Sequence, residues 1–218
     1  MPLQRIQQQL QRIYQLEVPH RVTDFLITDS ELAKALRGGE SLVPEQLLVH
    51  QEGDELALAL YLEAALLERL ASDDPFHSLH NGNLSDYCTV LEGISHFLYL
   101  SWNARHDRPV TRLELELQAE VDKFIAAVQL ISDQYGKQDN DALLTRLFRA
   151  VSFAPELEEE EKKRYWWANR YAARYCEHLN QRYLRHNQTT HLTRELRRFY
   201  RLNQPAKLQR IMGRTAPP

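Results

Sequence analysis

Cysteine is scarce in this chain: Cys88 and Cys176 are the only two in 218 residues, and neither sits in a CxxC or at a metal-ligand spacing. That excludes a disulfide scaffold and a paired-cysteine metal or redox motif. Isolated cysteines in apolar helical surroundings act as small hydrophobes, which fits a reducing compartment. Glycine (7) and proline (9) are also few, which excludes a collagen-like or low-complexity chain. Long apolar runs are missing. Leu56 to Leu62 is among the longest, far short of the roughly 20 residues that cross a bilayer. The start, MPLQRIQQQLQRIYQ, lacks the continuous apolar core of a secretory signal. There is no internal repeat and no nucleic-acid signature such as an aromatic RNP sequence. A cytoplasmic protein with no membrane span is expected, and the sequence specifies no cofactor.

The chain contains 43% hydrophobic and 26% charged residues. At this length about 70% of the unfolded surface can be buried, so no covalent staple is required. Periodicity predicts a mainly α protein (α+β) with a bundle-like body and a small antiparallel sheet or β-hairpin near the N-terminus. Leu3, Ile6, Leu10 and Ile13 form a narrow helical stripe over 2–16, ended by Pro19. Residues 21–28 suit a short strand. Asp29 or Ser30 caps a helix through Leu36, stopped by Gly38-Gly39. Leu47 to Val49, a three-residue turn Glu52-Gly53-Asp54, and the alternation Leu56, Leu58, Leu60, Leu62 predict a hairpin. A helix takes over from Glu63 to Ala71. An apolar helix is expected over 85–105. Thr111 with Glu114 makes a capping box for the next, over 111–135, with Leu113, Leu117, Val121, Phe124, Val128 and Ile131 as its buried face. Helices over 139–152, 156–185 and from Leu192 to Phe199 follow, and Pro205 suits the first turn of the last one.

Net charge of -3 hides an asymmetry. Residues 1–161 carry 13 basic and 28 acidic side chains, while residues 162–218 carry 14 basic and 2 acidic, which sum to the 27 and 30 of the whole chain. We therefore read 1–161 as an acidic body and 162–218 as a basic, aromatic-rich helical part packed on it as one domain. Eleven of the late cations are Arg, from Arg164 to Arg214, interleaved with Tyr165, Trp166, Trp167, Tyr171, Tyr175, Tyr183, Phe199 and Tyr200. Arg forks onto phosphate and aromatic faces stack bases. Arg194, Arg197, Arg198 and Arg201, with Tyr200, form the expected partner-binding surface for a nucleic acid or an acidic protein. Alternatively, the opposed charges neutralise each other within the molecule; pairing between copies instead predicts a self-associating scaffold or homo-oligomer. Of the adjacent pair Trp166 and Trp167, one is expected in the core and the other as an interface anchor. The run Glu158 to Glu161 reads as a solvated helix start.

A second constellation lies further upstream. Glu92, His96, Tyr99 and Asn103 share one stripe of an otherwise apolar helix, and Glu116 and Glu120 share a face of the next. If these two helices form an antiparallel hairpin, His96 meets Glu120. Carboxylates and imidazole facing inward are how helical bundles hold metals, so Glu92, His96, Glu116 and Glu120 are candidate ligands. The spacing Glu-x-x-x-His departs from the di-iron Glu-x-x-His. Without metal, His96 oriented by Glu120 is a candidate general base in an enzyme. The competing reading is a satisfied buried network that fixes helix register. His77 and His80 beside Asp73 and Asp74 are a weaker ligand set, and Arg105 to Arg108 read as an exposed turn.

Overall fold

The computed structural model describes residues 2–39, 42–53, 55–136, 139–149 and 159–213. Among the described residues the protein is mainly helical, with nine α-helices and a small three-stranded mixed sheet near the N-terminus. No described helix is long and apolar enough to cross a membrane. The chain forms two compact units. One comprises residues 1–12 and 16–108, the other residues 13–15 and 109–218. The pair of helices expected as a central hairpin is divided between them. The charge step at residue 161 falls inside the second unit.

α1 (Pro2–Tyr14) belongs to the first unit through Arg12 and to the second by its last two residues, and within the first unit it buries the expected stripe of Leu3, Ile6 and Leu10. The buried face is wider than the apolar residues alone. Gln7 and Gln9 are inside as well, because Gln7 takes the backbone N–H of Val22 and donates to the carbonyl of His20, and Gln9 accepts from Tyr87. The helix ends before Pro19. Gln15 turns left-handed at φ 54°, and the Leu16 N–H reaches back to the Gln11 carbonyl, a Schellman stop.

The expected strand over 21–28 shrinks to β1 (Leu26–Ile27), because Val22–Phe25 coil into a 3₁₀ turn. Asp29 caps α2 (Ser30–Leu36) by accepting from the Glu31 and Leu32 N–H groups, as the sequence predicts. The hairpin is β2 (Glu45–Glu52) and β3 (Glu55–Leu62), in register from Glu45 opposite Leu62 to Glu52 opposite Glu55. Two residues connect the strands instead of three, with Gly53 at φ 59°, a conformation that favours glycine. β1 pairs parallel with β3, so the sheet is mixed, in the order β1-β3-β2.

α3 (Ala64–Ser72) leads to a loop tied by Asn83, which donates to the carbonyls of Ser78 and Asp73. α4 (Leu84–Ala104) is apolar nearly all round and accordingly buried. It packs on β2, β3 and α3. Gly93 makes the sheet contact possible: a Cβ there would stand 2.8 Å from Leu60 Cδ1 and from Glu45 Cγ and Oε1.

In the second unit, Thr111 caps α5 (Arg112–Tyr135) by accepting from the Glu114 N–H. The Glu114 side chain does not close the capping box in the usual way. It accepts from the N–H of Gln204, the first residue of α9 (Gln204–Gly213). Of the predicted α5 face, Leu117, Val121, Phe124 and Val128 are buried. α6 (Asp141–Phe148) follows, then α7 (Glu159–Leu179), which lies along α5. Ala168, Ala172 and Cys176 on the buried face of α7 are small enough to let the backbones approach. The helix loosens into a π turn, Asn180–Leu184, before α8 (Thr189–Tyr200).

The core of this unit is polar as well as apolar. Tyr14 donates to Asp122 at 2.5 Å and stacks on Tyr200 with ring centroids 4.4 Å apart. Gln118 donates to Asp122 and accepts from Lys207, whose ammonium is fully buried and sits 4.9 Å from the Phe199 ring centroid. Tyr175 stacks on Phe199 and donates to Glu195, which also pairs with Arg210.

Candidate functional site

Beyond residue 161 the described chain holds two carboxylates, and both have cationic neighbours. Glu195 is buried with Arg210, and Glu177 lies 4.0 Å from Arg149. Arg164 takes Glu161 at 3.2 Å and lies 3.9 Å from Glu116, while Arg185 takes Asp141 at 2.5 Å. These pairs neutralise part of the cationic excess; Lys207 is buried, and Lys163, Arg170, Arg174, Arg194 and Arg198 are among the cations left exposed.

The expected partner-binding set on α8 divides in two. Tyr200 is not available to a partner: it is buried against Tyr14, because Leu192, Leu196, Phe199 and Tyr200 share the inward face of the helix. Arg197 donates to the carbonyl of Ile13, and Arg201 to those of Tyr14, Gln15 and Arg197. These two cap the last turn of α1. Arg194 and Arg198, on the same broad outer side of the helix, are exposed and have no carboxylate partner among the described residues.

α7 carries a face that differs from the sequence expectation. Trp166 and Trp167 are both on the surface, at 44% and 43% exposure, and neither is core. They meet edge to face at 4.7 Å, and Trp167 stacks on Tyr171 at 5.3 Å with the rings 19° apart. The Arg170 guanidinium sits 5.1 Å from the Trp166 ring centroid. Lys163, Arg170 and Arg174 are exposed on the same side. At 100° per residue, positions 163, 167, 170 and 174 form one stripe, with 166 at its edge, while Ala168, Ala172, Tyr175, Cys176 and Leu179 occupy the opposite, buried side. A solvent-facing stripe recurring every three or four residues is the signal that sequence offers for this face. Beyond this helix, a shallow polar hollow at the π turn is lined by Gln181, Arg182, His186 and Gln188. Glu158 and Arg214 lie outside the described residues.

A scan against protein-family models finds no match, and neither a search of curated proteins nor one of solved structures finds a similar chain.

In the first unit, Glu92 and His96 are on successive turns of α4, with a carboxylate oxygen and an imidazole nitrogen within 4.8 Å of each other. Glu45 of β2, absent from the candidates read from sequence, brings Oε1 to 3.6 Å from His96 Nδ1. Its carboxylate occupies the notch left by Gly93, one turn before His96. An imidazole between two carboxylates can take a proton or a cation. Asn103 donates to the carbonyl of Tyr99, a local helix bond. In the second unit, Glu116 is buried beside Arg164, and Glu120 pairs with Lys123 at 2.6 Å.

The weaker sets are held by local bonds. His80 bonds Asp73 through Nε2 and takes the Gly82 N–H through Nδ1, so both ring nitrogens are engaged in closing the loop. His106 bonds the Trp102 carbonyl and lies tilted against its ring at 4.3 Å, and Arg105 donates to the Glu17 carbonyl. Burial pushes the Cys176 thiol well up, with Glu120 and Asp122 adding to the effect, which makes it a poor nucleophile.

Proposed function

We propose that the protein binds a polyanion through cations that its second unit leaves exposed, Arg194 and Arg198 on α8 and Lys163, Arg170 and Arg174 on α7. The observation that carries this reading is the exposure of Arg194 and Arg198 with no carboxylate partner among the described residues, while Glu177 and Glu195 already have cationic neighbours. Arg is suited to this task because its planar fork matches phosphate and sulfate and it stays charged at every working pH. Net charge is no obstacle, since a ligand responds to the local field of a patch and not to the sum over the chain.

Retention on heparin in low salt tests the reading. The wild-type chain is expected to be retained and to elute as salt rises. Arg194→Glu with Arg198→Glu should elute markedly earlier, because two attractive interactions become repulsive. Absence of retention in the wild type, or an unchanged elution position in the variant, overturns the proposal.

A further inference from the structure

Resting on that reading and giving it a ligand class, we infer that the outer face of α7 binds single-stranded nucleic acid, with bases stacked on Trp166 and Trp167 and phosphates held by Lys163, Arg170 and Arg174. Tryptophan is the side chain with the most apolar area to lose in water, and folded chains bury most of it. Here two adjacent tryptophans are left more than two-fifths exposed on one well-formed helix. Between the exposed Glu160 and Glu177, which bound the stripe at its two ends, their charged neighbours on it are cations. Trp, Tyr and Arg are favoured at protein interfaces too, but Lys163 is not, and the run of cations from Lys163 to Arg174 with no carboxylate among them selects an anionic ligand.

The internal geometry is that of a stacking platform. Trp167 is backed by Tyr171, nearly parallel to it, and Trp166 is held edge-on against Trp167 with the Arg170 guanidinium near its face. Rings braced in this way lose little rotamer freedom when a base lands on them, so less of the stacking energy is offset by ordering. Every base has a π-face, so such a surface tolerates sequence, and cations along it follow the backbone. From Lys163 to Arg174 the stripe runs about 16 Å at the ~1.5 Å helical rise. A duplex keeps its bases stacked inside and can offer only its phosphates.

Binding of a labelled twelve-residue oligo(dT) to the full chain, followed by anisotropy, tests this. The same length of duplex, heparin and polyglutamate serve as comparison ligands. The wild type is expected to prefer the single strand. Trp166→Ala with Trp167→Ala should weaken oligo(dT) binding about 30-fold or more, taking roughly 1 kcal/mol for each stack removed at the low end. Retention on heparin through Arg194 and Arg198 should persist. Lys163→Ser with Arg174→Ser keeps both rings and guards against a folding defect in the tryptophan variant. It should lower affinity and flatten the salt dependence by about 0.7 for each phosphate no longer neutralised. Equal affinity for duplex and single strand, or an unchanged oligo(dT) affinity in the tryptophan variant, overturns the stacking inference and leaves polyanion binding intact. Tighter binding of polyglutamate than of oligo(dT) assigns the face to acidic proteins and also overturns it. Failure to bind either oligo(dT) or heparin in low salt overturns both proposals.

Discussion

The guanidinium of Arg201 donates to the backbone carbonyl of Tyr14 at 3.3 Å, joining residues 187 positions apart in sequence. One turn earlier on α8, Arg197 does the same for Ile13. The last carbonyls of a helix have no partner within it, and their partial negative charge favours a cation nearby. Two of the four arginines on α8 are therefore caps for another helix, and the remaining two carry the proposed surface.

Replacing Arg197 and Arg201 together by Met keeps their apolar stems and removes the donors. The expected loss is about 1–2 kcal/mol of stability for the pair. Urea unfolding should show a lower midpoint at an unchanged slope. A midpoint equal to that of the wild type would mean that the capping bonds contribute nothing.

Gly93→Ala should destabilise, although in an exposed helix interior the same change favours folding by about 1 kcal/mol. The added methyl would stand 2.8 Å from Leu60 Cδ1 and from the Glu45 carboxylate. Overpacking of this kind costs about 1–3 kcal/mol. Thermal unfolding checks the sign, and a raised melting temperature would show that Glu45 and Leu60 move aside freely.

Alkaline pH should unfold the protein through its buried phenols. Burial raises Tyr14 and Tyr175 well above the ordinary tyrosine value, with Asp122 and Glu195 respectively adding to the shift, and burial likewise raises Tyr87. The folded state thus holds these protons more tightly than the unfolded chain. Their contribution is complete below the unfolded value of about 10 and is lost as pH climbs through the higher folded values. Tyrosinate absorbance should accordingly rise in two stages, with the second coinciding with loss of the circular dichroism signal. Tyr175→Phe should weaken the alkaline fall. Ionisation of all tyrosines in one stage near pH 10, with the fold intact, would contradict the assignment.

Much of the fold is legible in sequence because local chemistry is explicit. Asp29, Thr111 and Gly136 each act at the helix end where their residue type is favoured. The hairpin follows from its period of two. The departures share a cause. Gln7 and Gln9 look like solvent-facing filler, but their amides meet Val22, His20 and Tyr87. Glu114 has the spacing of a reciprocal capping box, yet its carboxylate goes to α9. The 100° between Trp166 and Trp167 suggests opposite environments, whereas the outward stripe is wide enough to expose both.

Local sequence thus determined which segments are helix or strand, where most of them stop, and that positive charge gathers after residue 161. Those properties depend on backbone propensity, side-chain period and composition, which are readable over a few residues. Tertiary structure decided which arginines are caps and which are surface, that Glu45 lies beside His96, and that α7 presents its tryptophans outward. A long polar side chain has several possible partners of equal local merit, and only packing from distant parts of the chain fixes which one it meets.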